Sequence, residues 1–265
     1  MKARGTGNKR VVIVSDLHVG SACALRSDPQ NSAQASLLRA WRETQDAFGR
    51  GPDLLVVNGD ANDGQDPKGR DVANDSVPWQ IEEAESLLLE WEPKRVVIVE
   101  GTAYHTGDTV QHERFLAGYI ARRGVPCEFV GRLRMVVNGW FRLDARHKIG
   151  RSTVPQGAHT APGRAAVNSV INAAIQSRRD NAAVDAPHLS VFSHVHYWSF
   201  AERSYGAYAT TPCWKAAGCR FGETQCDGIV DIGAMQVSIG ATETEGWTWR
   251  KRLYPARVEV NTARL

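Results

Sequence analysis

Aspartate and histidine residues follow apolar segments of this chain at regular intervals. Asp16 and His18 come after the first apolar segment, and Gly59 and Asp60 come after the second. Carboxylate and imidazole groups together suit Zn, Mn, Fe or Ni. Taken alone, the Asp-x-His pair is equally well explained by an Asp that caps a helix next to a surface His. A Gly-Asp pair is likewise common in ordinary loops.

Three further segments end in histidine. His105 follows the third apolar segment, His147 ends a strand of alternating polarity, and His194 and His196 form a His-x-His pair directly after residues 189–192. Taken alone, His105 is as well explained by a solvent-facing loop. A core histidine is usually single, so the His-x-His pair by itself favours metal binding. The five segments in this order indicate a metal site more strongly than any one of them.

The elements that must position these residues alternate between strand and helix in the first half of the chain. Continuous apolar runs predict buried parallel strands, at residues 11–14, 53–57 and 95–99. Helical spacing and helix-start residues predict the intervening helices, over 33–48, from Ser76 and Pro78 onward, and over 109–123. Ligands bind at the carboxyl ends of strands in open α/β sheets, so we expect the Asp and His side chains to meet there.

The second half of the chain predicts shorter strands. Asn138-Gly139 between apolar runs is a strong hairpin signal. We predict a helix over 164–178 with one apolar face, formed by Val167, Val170, Ile171, Ala174 and Ile175. A buried strand at 189–192 and short strands beyond residue 200 complete the prediction. Without an internal repeat or an obvious linker, residues 1–265 predict a single domain.

The composition is that of an ordinary globular protein. A net charge of +3 permits an anionic substrate without indicating a nucleic-acid binder. The five cysteines are an odd number in a chain of this size, so we interpret them as buried or incidental thiols. There is no signal peptide and no apolar run near the ~20 residues that span a bilayer, so we expect a cytoplasmic protein without a membrane partner.

The ordered set resembles the calcineurin-like metallophosphoesterase superfamily over roughly residues 10–200. That family's signature is Asp-x-His, Gly-Asp-x-x-Asp, Gly-Asn-His-Asp/Glu, a lone His, and Gly-His-x-His. The matching residues are Asp16, His18, Gly59, Asp60, Asp63, Gly101, His105, His147, His194 and His196. The resemblance implies an α/β fold, a four-layer α/β/β/α sandwich with mixed sheets. Gly-Thr-x-Tyr-His at 101–105 and Thr-Pro-Cys-Trp at 211–214 are similar to phage and prophage members.

The resemblance also implies roles for these residues. One metal would be held by Asp16, His18 and His196, and a second by His147 and His194, with Asp60 bridging the two. His105 would be the general acid or the group that orients the phosphate, and Asp63 would support its loop. Two departures stand out: Thr102 replaces the family's metal-binding Asn, and Ser193 replaces a Gly.

The function implied is that of a dinuclear metal-dependent phosphoesterase. Two ions about 3.5–4 Å apart can clamp a phosphate and generate a bridging hydroxide. Mn²⁺ is our first expectation for both ions, with Fe, Zn or Ni as alternatives. The first choice of substrate is a nucleic-acid or nucleotide phosphodiester. A phosphomonoesterase and a catalytically degenerate binding scaffold remain alternatives, and Thr102 favours the scaffold. The sequence does not indicate an oligomeric state.

Several basic residues could contact the substrate. The loops at 61–76 and 148–163 carry Lys68, Arg70, Lys148, Arg151 and Arg164. These side chains could meet a backbone phosphate, but merely solvated loops explain them equally well. Arg146, next to His147, could reach a phosphate oxygen, although a solvated arginine at a strand end is the favoured interpretation.

Overall fold

A computed structural model describes residues 7–65, 72–107, 111–150, 160–180, 185–216 and 230–254. Its helices are α1 (Ser32–Phe48), α2 (Val77–Leu89), α3 (Ala103–Thr106), α4 (Gln111–Arg122) and α5 (Thr160–Asp180). Its strands are β1 (Lys9–Val14), β2 (Leu54–Asn58), β3 (Val96–Val99), β4 (Cys127–Val130), β5 (Leu133–Val137), β6 (Phe141–Arg146), β7 (Leu189–Phe192), β8 (Ser199–Arg203), β9 (Gly206–Thr210), β10 (Ile232–Ile239) and β11 (Trp247–Tyr254).

The strands form two mixed sheets. The first has the order β11-β10-β1-β2-β3-β4, in which β1 to β4 are parallel and β10 and β11 run antiparallel to their neighbours. The second has the order β5-β6-β7-β9-β8, with β6, β7 and β9 parallel. The short apolar runs of β1 to β3 are almost fully buried because both faces of the first sheet are covered.

Three apolar layers hold the sheets and helices together. The outer face of the first sheet packs against α1, α2 and α4, with Trp41 of α1 in edge-to-face contact with Trp91 and Trp214. The inner faces of the two sheets pack against each other in one buried cluster, to which the first sheet contributes Val56 and Val97 and the second Val191. The outer face of the second sheet packs on α5. The predicted four-layer α/β/β/α sandwich with mixed sheets is therefore confirmed.

Several local predictions can be compared with the structure. The hairpin at Asn138-Gly139 is confirmed, with β5 paired to β6 across it. The apolar face predicted for α5 does not face the core, since Val167, Ile171 and Ile175 are exposed while alanines of the helix are buried. Among the described residues, no helix has both the length and the apolar character needed to cross a membrane. Cys219 and Cys226 lie outside the described residues.

Candidate metal centre

The carboxyl ends of five strands, β1, β2, β3, β6 and β7, bring the predicted residues together. Hydrogen bonds beyond the strand ends keep the first two segments side by side: Asp16 N donates to Gly59 O and His18 N donates to Asp60 O, both at 3.0 Å. On the second sheet, Ser193 N donates to His147 O at 2.9 Å. These backbone contacts set the relative positions of the side chains that follow each strand.

Two groups of potential ligands lie next to each other at this edge. Asp16, His18 and His196 form one, with ligand atoms within 4.8 Å of one another, and Asp60, His147 and His194 form the other. Five of the six residues are buried and His194 is half-buried. The oxygen Asp16 Oδ1 lies 4.0 Å from His147 Nε2, so the two groups adjoin. All six residues predicted as metal ligands thus lie together, with Asp60, the predicted bridge, grouped with His147 and His194.

Hydrogen bonds on the far side of two rings set their tautomers. His18 Nδ1 donates to Asp63 Oδ1 at 3.0 Å, and His147 Nδ1 donates to Asn58 O at 2.7 Å. Each ring therefore presents Nε2 to the centre of the site. Metal-binding histidines usually donate their other N–H to a carboxylate or a backbone carbonyl in this way.

The centre of the site contains polar atoms in close approach, and two of them lack a hydrogen bond to any described residue. His196 Nε2 lies 3.1 Å from Asp16 Oδ1, and His147 Nε2 lies 3.0 Å from Asp60 Oδ2. Within the described residues, however, Asp16 Oδ1 and His147 Nε2 are buried without a hydrogen bond. A buried polar atom left unpaired costs about 1–3 kcal/mol. Atoms that converge off the hydrogen-bond axis fit a cation held between them, so this donor set fits a divalent metal.

The electrostatics of the site balance carboxylates against imidazoles. Burial raises the pKa of Asp16 and of Asp60, but the charges of the adjacent histidines outweigh it and hold both well below the usual range. Burial lowers the pKa of His147, but Asp60 and Asp16 outweigh it and raise this pKa to about 9. The carboxylates thus attract positive charge to this point, and a metal would take the place of protons.

His18 is held in its neutral form. Burial, with the nearby charges of Lys215 and His105, lowers the pKa of His18 to about 3. Lys215 is buried and its Nζ lies 3.0 Å from Asp63 Oδ1, the same oxygen that accepts from His18. Neutral imidazole is the form that binds metal.

His105, predicted as the general acid, lies at the border of the site. Its ring is in edge contact with that of His18, at 4.4 Å between centroids. Its Nδ1 donates to Asp63 O at 2.7 Å, which leaves Nε2 for the substrate. Thr102, at the position of the family's Asn, donates from its N at 2.6 Å and from Oγ1 at 3.1 Å to Asp60. In this structure Thr102 orients the Asp60 carboxylate.

Sequence reasoning missed three residues that support the site. Glu113 of α4 is buried and accepts from Gly101 N at 2.7 Å and from Ala61 N at 3.2 Å, so it ties together the loops after β2 and β3. Lys215 supports Asp63 as described. Thr211 joins the hydroxyl groups of Ser15 and Ser193 at 2.7 and 2.6 Å beneath the ends of β1 and β7. Glu113 left a signal, since it shares the apolar face of α4 with Leu116, Ala117 and Ile120.

The fold and the site together define a class of protein: a two-sheet α/β sandwich with Asp and His side chains at the carboxyl ends of its strands. No protein-family model matches the chain, and no curated protein sequence matches it.

Solved structures with a similar course of the chain have low sequence identity. The zinc complex of Vps29 from Entamoeba histolytica is 12% identical, with a TM-score of 0.43 over 92% of this chain and 98% of that one. A novel archaeal phosphodiesterase is 13% identical, with a TM-score of 0.46 over 92% and 99%. Vacuolar protein sorting 29 from Cryptosporidium parvum is 13% identical, with a TM-score of 0.44 over 94% and 98%. At these values the likeness carries no argument about this chain.

Proposed function

We propose that the protein is a metal-dependent phosphoesterase with two divalent ions, and that its substrate is a phosphodiester of a nucleic acid or nucleotide. One observation supports this most strongly: two groups of one carboxylate and two imidazoles adjoin at this edge, and Asp16 Oδ1 and His147 Nε2 are buried between them without a hydrogen bond to any described residue. Asp16, His18 and His196 would hold one ion, and His147 and His194 the other, with Asp60 between them. Mn²⁺ is the first expectation for this mixed oxygen and nitrogen set.

Bound there, two divalent ions would neutralise the phosphate and lower the pKa of water at the site. The chain's own residues would position the metal ligands and protonate the leaving oxygen. Thr102 fixes both carboxylate oxygens of Asp60 at 3.1 Å, and Asp63 fixes His18. His105, with Nδ1 bound to Asp63 O, would deliver a proton from Nε2 to the leaving oxygen. General acids of this kind typically contribute about 10²–10⁴-fold.

Two alternatives differ in measurable ways. In a phosphomonoesterase the same ions would act on a terminal phosphate. A degenerate scaffold would bind metal weakly and hydrolyse nothing. Thr102 favours the scaffold, because it supplies hydrogen bonds to Asp60 where an Asn would supply a ligand oxygen. We place the diesterase first because Gly64, and not the arginine of Ser/Thr protein phosphatases, follows Asp63.

The test compares metal content and hydrolysis in the same preparations. Protein stripped with a chelator and reloaded with Mn²⁺ should hold two ions per chain by elemental analysis. It should also hydrolyse bis-p-nitrophenyl phosphate faster than p-nitrophenyl phosphate. His196→Ala removes a proposed ligand itself. Its activity should therefore fall by more than the roughly 10–100-fold that is lost when an outer partner of a metal ligand is removed.

His188→Ala is the matched control, because His188 precedes β7 at the end opposite His194 and stacks on Phe141. This variant should keep both ions and the activity. A folded wild-type protein that binds two ions without hydrolysing either ester would favour the scaffold. Faster hydrolysis of the monoester would favour the phosphomonoesterase.

A further inference from the structure

A polar cavity lies between the outer face of the second sheet and α5. Its volume is about 430 Å³. Arg146, the last residue of β6, lines it, while the next residue, His147, belongs to the metal centre. The other polar side chains that line it are Thr160, Arg164 and Asn168. No lining residue within the described chain is acidic, so the cavity carries two cationic groups without a carboxylate.

Arg146 is held in place but is not neutralised. Its guanidinium lies over the ring of Phe192, 4.9 Å from the centroid. Its Nε is buried and has no hydrogen bond to any described residue. The acid on the same strand face, Asp144, is already bound by the guanidinium of Arg132, with Nε at 2.7 Å from Oδ1. Two cationic side chains, Arg146 and Arg164, with no acid among the described lining residues give this cavity a positive potential that favours an anion.

The cavity is fixed relative to the metal centre by the backbone. Arg146 O accepts from Asn58 Nδ2 at 3.2 Å, and Asn58 O accepts from His147 Nδ1 at 2.7 Å. From the other side, Arg164 and Asn168 are four residues apart on α5 and therefore lie on the same face of that helix. Two separate elements thus place polar groups around one cavity, and its Arg146 directly precedes the metal-centre residue His147 in the chain.

We propose that this cavity binds a second phosphate group of the substrate, one that is not cleaved, through Arg146 and Arg164. The planar guanidinium offers paired N–H donors that match phosphate oxygens. As a statement about substrate choice, this rests on the proposed phosphoesterase function. It restricts the substrate to esters with an additional phosphate, such as an oligonucleotide or a phosphorylated nucleotide ester.

The first experiment compares three dinucleotides with the Mn²⁺-loaded protein. The dinucleotide d(TpT) has only the scissile phosphate, while d(pTpT) and d(TpTp) add one at either end. We expect kcat/KM for one of the longer pair to exceed that for d(TpT) on the order of tenfold, the effect of a charged hydrogen bond. Arg146→Gln and Arg164→Gln should each reduce this ratio towards one. Arg178→Gln, an exposed position on the same helix, should leave the ratio unchanged.

The second experiment measures inorganic phosphate binding to the chelator-treated protein by calorimetry. Wild type and Asp60→Asn should bind phosphate, and both arginine variants should bind it on the order of tenfold more weakly. Phosphate binding that depends on the arginines, without hydrolysis of any dinucleotide, would support the cavity and reject the phosphoesterase. Hydrolysis of all three dinucleotides at equal rates, with phosphate binding equal in all variants, would overturn the cavity and leave the phosphoesterase standing.

Discussion

Replacement of Lys215 by methionine is expected to destabilise the protein by about 3–5 kcal/mol, the usual cost of removing one partner of a buried ion pair. Lys215 and Asp63 are each only 5% exposed, and Lys215 Nζ lies 3.0 Å from Asp63 Oδ1. At this distance Coulomb's law gives roughly 5–6 kcal/mol of attraction at an effective dielectric constant of about 20. In the methionine variant the Asp63 carboxylate would stay buried without the ammonium group that balances its charge.

The same substitution should weaken metal binding about 10–100-fold, as the loss of an outer partner does. The charge of Lys215 helps to keep the pKa of His18 low. Lys215 Nζ and His18 Nδ1 also share the same oxygen, Asp63 Oδ1, so loss of the lysine frees the carboxylate that orients the His18 ring. Urea denaturation of the chelator-treated protein measures the first effect, and calorimetric titration with Mn²⁺ measures the second.

Lys94→Met is the matched control for the loss of stability. Lys94 Nζ also lies 3.0 Å from an aspartate oxygen, Asp53 Oδ1, but the lysine side chain is 67% exposed. Its loss should cost no more than about 1 kcal/mol. Adding Asp63→Asn to Lys215→Met should recover part of the stability, because no buried charge is then left alone. Equal losses for the two lysine variants would refute the reasoning from burial.

Two further substitutions test the support of the site. Gly59→Ala should abolish two-metal loading, because the added Cβ would overlap the imidazole ring of His147. Gly124→Ala, with a similar positive φ but no atom within 4 Å of the added Cβ, should load normally. Burial and the charge of Asp60 raise the pKa of Glu113 from 4.5 to about 8, so the folded state binds more protons than the unfolded state between these values. Stability should fall as pH rises through that window, by at most about 1.4 kcal/mol per pH unit, and Glu113→Gln should remove this slope in urea denaturation series.

Most of the site could be predicted from the sequence, because strand geometry determines where the residues after each strand lie. Residues that directly follow buried parallel strands must emerge at the same edge of a sheet. This is why Asp16 and Asp60, far apart in the chain, could be expected to meet. His194 follows β7 of the second sheet, so its place beside them depends on how the two sheets pack. The strand order of the first sheet was not predicted. Its β10, near the end of the described chain, pairs with β1 at the start, and β11 pairs with β10. No local pattern encodes such a pairing.

The residues around the ligands were harder to predict. A lysine after a tryptophan has no periodicity that reveals an inward side chain, so Lys215 left no signal. Glu113 did leave one, because a charged residue among apolar positions at i, i+3, i+4 and i+7 of α4 must be buried with partners. The same periodicity misleads on α5, where Val167, Ile171 and Ile175 share a face that the structure exposes. The assignment of His105 as general acid and the likeness to phage members stay predictions.

Backbone strain is concentrated at the proposed ligands, and this leads to a last prediction. Seven non-glycine residues among those described have positive φ, and five of them are ligands: Asp16, His18, Asp60, His194 and His196. The left-handed conformation costs an L-residue roughly 1–2 kcal/mol. His194, at φ 73°, should therefore give a more stable protein as His194→Gly than as His194→Ala, by about 1 kcal/mol without metal.

At His147 the stability difference between the Gly and Ala variants should have the opposite sign, because His147 is not among the positive-φ residues. His147→Gly should be less stable than His147→Ala by roughly 0.5–1 kcal/mol, the entropic cost of glycine in an ordinary conformation. Urea denaturation of the four chelator-treated variants measures both differences. If the Gly variant is the less stable one at both positions, the backbone at His194 is not strained. If the signs are opposite, the rest of the fold stabilises a conformation that is unfavourable by itself, and such strain is typical of functional sites.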